Sequence, residues 1–172
     1  RKGRDLVKKA HPTALKPHTL QSLQLLFDED ASDAVPSEAY TSAMAAQADT
    51  VLVVAASDGE TRAGRTVTAA LSLSADPPRL LVSITRESEL ARIILQTERF
   101  SAHALAEGQQ AIADAFAGGK AGQARFAIGD WSVWSSGQPR LIGALSGLDC
   151  RLAGSLDTGT HMLFVGIPTE IE

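Results

Sequence analysis

Apolar and polar residues alternate over short stretches of this chain, and most of these stretches have the length and composition of β-strands. The predicted strands are residues 50–56, 79–85, 99–106, 141–156 and 161–167. The last two form a predicted hairpin around the turn sequence 157–160. From residue 38 onwards, helical spacing of apolar residues occurs in the segments 38–48, 87–97 and 109–117. Many strands with few helices between them favour a β-barrel with helical caps over a sheet in which strands and helices alternate.

The clearest alternation lies in residues 64–78, where small hydroxyl residues and apolar residues take turns. The hydroxyl residues are Thr66, Thr68, Ser72 and Ser74, and the residues between them are Val67, Ala69, Leu71 and Leu73. One extended strand would carry the hydroxyls on one face and the hydrocarbon on the other. Pro77 and Pro78 would then end the ladder, because neither can donate a backbone hydrogen bond. Such a strand would let a flat ligand such as a flavin lie against the backbone, although the alternation suits any half-buried strand.

Length and charge limit the possible functions. The chain has 172 residues, enough for one domain with its own core and an extension. Its net charge of −4 offers no positive footprint for nucleic acid, and no apolar run approaches the roughly 20 residues that span a bilayer. Cys150 is the only cysteine, so no internal disulfide can form and we expect a cytoplasmic protein.

The first part of the chain differs in composition from the rest. Residues 1–20 carry six basic side chains, and residues 28–38 carry five acidic side chains without a basic partner. Between them an apolar stripe at helical spacing comprises Leu20, Leu23, Leu26 and Phe27. We therefore predict an N-terminal extension, residues 1–37, with a short helix and an acidic linker, followed by one compact domain, residues 38–172.

Several reactive residue types are present without the spacing that their chemistry needs. The four histidines, at positions 11, 18, 103 and 161, do not have metal-ligand spacing, and we predict no metal site. Ser146 lies outside the register of a nucleophile elbow. His103 is expected to be a packed structural residue, Cys150 an inert core residue, and Trp131 and Trp134 anchors of a loop.

Several segments in order resemble the short-chain flavin reductase family, whose members have an FMN-binding split-barrel fold. The resemblance begins near residue 38 and covers roughly the last three quarters of the chain. It is carried by AMAAQADTVLVVAASDG, GRTVTAALSLSADPP, RFSAHALAEGQQAIADAFAG, RFAIGDW, GQPRLIGALSGLDCRL and THMLFVG. It implies a mainly β (α+β) split barrel with short capping helices.

The resemblance also assigns residues to the flavin. It implies that the ring lies against Thr66, Val67 and Thr68, and that Ser72 and Leu73 continue this wall. It puts Thr85, Arg86 and Ser88 at the ribityl-phosphate end of the flavin, where the Arg86 guanidinium could pair with the phosphate. Glu87, between them, stands where relatives carry a small hydroxyl residue.

The resemblance implies a role for the turn before the last strand as well. His161 aligns with a histidine at the point where the nicotinamide enters, and is the predicted catalytic residue. Gly159 and Thr160 precede it in a turn that would leave room for the nicotinamide ring. A hydride transfer needs the two reacting atoms roughly 3–3.5 Å apart, and the cofactors supply the reaction chemistry.

The function expected from the resemblance is hydride transfer from NADH or NADPH to FMN or FAD. The reduced flavin would pass to a partner monooxygenase, and the reductase would be a homodimer with each flavin near the subunit interface. Two alternatives stay open. One is a flavin-binding module without reductase activity, and the other is a flavin-dependent reductase of another acceptor, such as a metal centre or a corrin.

Overall fold

The protein is described by a computed structural model over residues 33–119 and 122–172. The predicted stripe from Leu20 to Phe27 and most of the predicted extension lie outside these residues. Three α-helices are described: α1 (Ser37–Ala45), α2 (Glu89–Thr97) and α3 (Gln110–Asp114). The strands are β1 (Leu52–Ser57), β2 (Arg62–Val67), β3 (Ala70–Ala75), β4 (Pro78–Thr85), β5 (Arg99–Ala104), β6 (Trp131–Val133), β7 (Pro139–Leu141), β8 (Ser146–Asp157) and β9 (His161–Ile171).

Seven of these strands form one curled antiparallel sheet, in the order β2-β1-β5-β8-β9-β4-β3. The long strands β8 and β9 form its centre and pair with each other around the turn predicted from sequence. Strands β6 and β7 form a separate two-stranded ribbon. This architecture confirms the mainly β prediction. No helix in the described ranges has the length and apolar character needed to cross a membrane.

The alternating stretch 64–78 is two strands, and the prediction of one continuous strand is wrong. β2 pairs with β1 at one edge of the sheet, whereas β3 pairs with β4 at the other. Between them the backbone turns at Thr68, whose carbonyl accepts a hydrogen bond from the Ala70 N–H at 2.8 Å. The Ser83 N–H donates to the Ala69 carbonyl at 3.0 Å. The two edges of the curled sheet are therefore joined by two residues, Thr68 and Ala69.

Helix α2 fills the inner side of the curled sheet. Leu90, Ile93 and Ile94 have the predicted helical spacing and are buried against the strands. The Ser88 side chain caps the helix by accepting a hydrogen bond from the Ala91 N–H at 3.2 Å. Since α2 follows β4 after three residues, its capped end lies beside the end of β4.

A second apolar cluster lies on the other side of β1. Its aromatic members are Phe116 and Phe126, with the Trp131 ring packed against both. A side chain at Gly64 would meet this cluster, because a Cβ there would lie 2.6 Å from a Phe116 ring carbon. The glycine of the alternating motif therefore permits β2 to approach the aromatic cluster closely.

The structure confirms the packing predicted for two residues away from the clefts. His103 is fully buried against Trp131 and Trp134. Cys150 is also fully buried, and burial raises the pKa of its thiol to about 12, as expected of an inert core residue.

Candidate functional site

Three adjoining clefts lie around the junction of β2, β3 and β4. The first, the histidine cleft, has a volume of about 260 Å³ and runs along the end of β2 to the start of β9. Five of its lining residues were predicted site residues: Thr66, Val67, Thr68, Thr85 and His161. His161 reaches the same cleft as β2 because it pairs with Thr85 in the β4–β9 register.

One hydroxyl group of this cleft is engaged by the protein itself. The Thr66 hydroxyl donates to the Ala113 carbonyl at 2.7 Å, which ties β2 to helix α3. Thr66 therefore offers its backbone and methyl group to the cleft more readily than its hydroxyl. Ser83 on β4 also lines the cleft.

The second cleft, the arginine cleft, has a volume of about 300 Å³ and lies beside the start of helix α2. Three arginines line it: Arg62, Arg65 and Arg125. Thr85 and Ser88 also line it, and Arg65 and Thr85 border the histidine cleft as well. The shared residues make the two clefts neighbours, one rich in positive charge and the other in small side chains.

Two of the three arginines are held by contacts with the rest of the protein. The Arg62 guanidinium lies 4.6 Å above the Phe126 ring, and Arg125 donates to the Gly64 carbonyl. Glu87 and Glu89 are the acidic residues at the cleft, but the Glu87 side chain is largely exposed. The arrangement suits a phosphate, because guanidinium groups and hydroxyls donate to its oxygens and the amino end of a helix favours an anion.

The third cleft, the helix cleft, has a volume of about 440 Å³ and separates α1 from β3 and β4. Tyr40, Met44 and Leu71 form its apolar wall. It shares Thr68 and Ala69 with the histidine cleft. An apolar surface therefore continues directly from the histidine cleft.

The remaining predicted residues are more scattered. Ser88 lines the arginine cleft, but Ser72 and Leu73 lie exposed on β3 and line neither the histidine nor the arginine cleft. Gly159 and Thr160 lie in the β8–β9 turn before His161. The Arg86 guanidinium pairs with Asp157 in that turn, with its Nε 3.0 Å from the carboxylate.

Sequence reasoning missed the three arginines of the arginine cleft. Arg62 and Arg65 lie within or just before the quoted motif, and Arg125 lies in a glycine-rich stretch. No local pattern relates these positions, because they meet only when β2 and the segment 122–127 pack against the start of α2.

The donor set fits a flavin mononucleotide. The arginine cleft offers cations and hydroxyls for a phosphate, and the histidine cleft offers small side chains and strand backbone for a flat ring. His161 lines the same cleft from the start of β9, beside its pairing partner Thr85.

The chain is similar to known flavin reductases over most of its length. Residues 44–172 match the family model described as "Flavin reductase like domain". Two curated relatives are both named FMN reductase (NADH) RutF. The one from Ancylobacter novellus is 34% identical over 74% of this chain and 71% of its own length. The one from Methylorubrum extorquens is 36% identical over 77% of this chain and 65% of its own length.

A solved structure shares the fold. The flavin reductase component BorF of a bacterial two-component tryptophan halogenase superposes with a TM-score of 0.73 at 27% identity. The superposition covers 80% of this chain and 87% of that chain.

Proposed function

Because the chain belongs to the flavin reductase family, we propose that it transfers a hydride from NADH to FMN in the two adjoining clefts. The observation that carries the proposal is the contact between the histidine cleft and the arginine cleft, which share Arg65 and Thr85. A ring lying in the first cleft would extend its phosphate into the second. Curated relatives named FMN reductase (NADH) support this choice of substrates.

We assign binding of the flavin to residues of both clefts. The β2 segment Thr66, Val67 and Thr68 would form the wall behind the ring. Arg65 and Arg125 would hold the phosphate, and Thr85 would add a hydroxyl donor. The Ser88 hydroxyl donates to the Thr85 carbonyl at 2.7 Å, so Ser88 would border the phosphate as the cap of α2. The bound flavin supplies the atom that accepts the hydride. The protein's task is therefore to hold the ring flat, supply donors at its edge and leave one face open.

His161 is the proposed contact for the nicotinamide. It starts β9, lies exposed at the histidine cleft and is held by the turn that precedes it. Its position in the same cleft as the β2 wall would restrict how the nicotinamide stacks on the flavin, and stacking sets the distance between the reacting atoms. Gly159 and Thr160 form the turn directly before His161 and so would help to fix its position.

A homodimer is part of the proposal, and the exposed apolar face around the helix cleft supports it. Helix α1 buries none of its residues in the single chain, and a nine-residue helix is only marginally stable in water by itself. Tyr40 is 59% exposed and Leu71 on β3 is 56% exposed. A second copy using the same face would cover both elements in a two-fold interface, bordering the flavin site. Exposed Leu73 would join this interface.

The reduced flavin would be released to a separate monooxygenase or halogenase component. The likeness to a reductase component of a two-component halogenase supports such a partner. A cytoplasmic location is consistent with the use of NADH and with Cys150 as the only cysteine.

The experiment is NADH and NADPH oxidation at 340 nm, with FMN, FAD and riboflavin added in turn. We expect NADH oxidation to require free flavin and to be most efficient with FMN, because riboflavin cannot use the arginine cleft. His161→Ala should reduce kcat/KM for NADH at least tenfold while leaving the Kd for FMN within about threefold.

Other outcomes would contradict parts of the proposal. Oxidation unaffected by His161→Ala would remove the role of His161 and keep the reductase. Flavin binding without oxidation of either nucleotide would favour the binding module. Equal efficiency with FMN and riboflavin would contradict the phosphate role of the arginine cleft.

A further inference from the structure

Arg86 contacts the β8–β9 turn with its side chain. Arg86 Nε lies 3.0 Å from Asp157 Oδ2, whereas Arg86 Nη1 lies 3.7 Å from Oε1 of Glu87, the next residue in sequence. The Asp157 side chain is 25% exposed and that of Glu87 is 86% exposed. The closer and better shielded partner of Arg86 is therefore Asp157.

The same carboxylate shapes the turn. Asp157 Oδ1 accepts a hydrogen bond from the Gly159 N–H at 2.8 Å, so the carboxylate bridges the turn backbone and the Arg86 guanidinium. The Arg86 backbone N–H donates to the Thr160 carbonyl at 3.0 Å. Arg86 thus holds the turn at two points, one near each end.

This turn carries the His161 ring. The Thr160 hydroxyl lies 3.0 Å from His161 Nδ1, and the His161 carbonyl accepts hydrogen bonds from the backbone N–H and the hydroxyl of Thr158, each at 2.9 Å. A hydrogen bond at one ring nitrogen favours one tautomer and one ring orientation. The contacts from Asp157 to Thr160 therefore determine how the imidazole faces the histidine cleft.

Arg86 is not among the lining residues of the arginine cleft or the histidine cleft. Among the described residues, the cations that border the arginine cleft are Arg62, Arg65 and Arg125, on β2 and on the segment 122–127. A phosphate in that cleft would have guanidinium partners without drawing Arg86 away from Asp157.

From this geometry we infer that Arg86, through its ion pair with Asp157, is a positioning residue for His161 and not a phosphate ligand. The inference rests on the proposed function in one respect, namely that His161 contacts the nicotinamide. It assigns Asp157 the same positioning role, which the sequence pattern did not indicate.

The experiment compares Arg86→Gln and Asp157→Asn with Arg92→Gln as a matched control. Arg92 forms an ion pair of its own with Asp58, at 3.7 Å, and neither residue belongs to the β8–β9 turn. Asn at position 157 can still accept from the Gly159 N–H, so the turn itself should be retained. Two readouts are taken: KM for NADH beside the Kd for FMN, and the ¹⁵N shifts of the His161 imidazole, assigned with His161→Ala.

We expect both variants to raise KM for NADH three- to tenfold, with kcat and the Kd for FMN within about twofold. The His161 nitrogen shifts should move in both variants towards the average of the two tautomers, and Arg92→Gln should match the wild type. Arg86→Lys, which can still pair with Asp157, should recover most of the wild-type KM.

If Arg86 were a phosphate ligand, the two variants would give the opposite result. Arg86→Gln would then weaken FMN binding fivefold or more while Asp157→Asn left KM for NADH and the His161 shifts unchanged, and this result overturns the inference. If the wild type oxidises no NADH, the proposed function fails and the His161 shifts still decide the positioning role. Unchanged shifts in both variants overturn it.

Discussion

His103 shows how strongly a single buried group can respond to pH. The side chain is fully buried on β5, and its ring lies edge-on to Trp131 and stacked with Trp134, at centroid distances of 5.7 and 6.4 Å. Neither ring nitrogen finds a hydrogen-bond partner of normal geometry among the described residues. Burial lowers the pKa of His103 from 6.5 to about 4, because the lost hydration of the charged form outweighs the opposing effects of the Val53 backbone and of Glu172.

The depressed pKa predicts a loss of stability in mild acid. The unfolded chain binds a proton at His103 below pH 6.5, while the folded protein does not until about pH 4, so stability falls as the pH drops through this window. The loss should be about 3 kcal/mol between pH 7 and pH 4. Urea unfolding at several pH values measures it. His103→Asn should flatten the pH dependence by that amount, and an unchanged slope would refute the assignment to His103.

Residues 86 and 157 illustrate a different point at the same scale. Each is a common charged residue in an unremarkable local sequence, and their proximity arises from the pairing of β9 with β4 on one side and with β8 on the other. The sequence around Arg86 therefore suggested a phosphate ligand, whereas its ion pair with Asp157 indicates a positioning residue for His161.

At the scale of the elements, β9 is the strand on which the site depends. It pairs with β4 on one side and β8 on the other, and it begins at His161. Its middle crosses the core at Gly166, where a Cβ would lie 2.5 Å from a Phe100 ring carbon and 2.9 Å from the Cys150 Cβ. Both neighbours are fully buried and have little room to move.

Gly166→Ala should consequently destabilise the protein by about 1–3 kcal/mol through overpacking. Gly154→Ala is the matched control, because Gly154 lies on the adjacent strand β8 and a Cβ there meets no atom within 4 Å. Free energies of unfolding from urea titration distinguish the two variants. Equal stabilities would show that Phe100 can shift without cost.

At the scale of the whole molecule, the described chain leaves one apolar face uncovered. Helix α1 and strand β3 meet across the helix cleft, and their apolar side chains are largely exposed. The alternating pattern of β3 predicts one buried face, yet Leu71 and Leu73 are both exposed in the single chain. A partner surface that covered Leu71 and Leu73 would give β3 the buried face that its alternating pattern predicts.

Leu71→Asp tests that surface. It would put a carboxylate at the centre of the proposed dimer interface, so sedimentation velocity should show a dimer for the wild type and a monomer for the variant. Leu145→Asp is the matched control, since Leu145 is 73% exposed but belongs to neither α1 nor β3 and does not line the helix cleft. A monomeric wild type, or a dimer that survives Leu71→Asp, would contradict the proposed interface.

Local pattern was sufficient to predict many of the elements. The spacing of Leu90, Ile93 and Ile94 indicated α2 and its buried face, and the turn sequence 157–160 indicated the β8–β9 hairpin. The order of the motif segments indicated the family and, with it, the curled barrel. These features depend on residues close together in sequence, or on a pattern that the whole chain carries.

Contacts between distant segments decided the rest. The stretch 64–78 divides at Thr68 because β2 pairs with β1 and β3 pairs with β4. The alternation of residue types is the same whether or not a strand changes its pairing partner. The arginine cleft assembles side chains from β2, α2 and the segment 122–127, and Arg86 meets Asp157 only across the sheet. The sequence by itself determined which residues favour strands, turns and helices, because those preferences are local. Only the tertiary structure decided which charges meet, because strand pairing and packing brought together residues tens of positions apart.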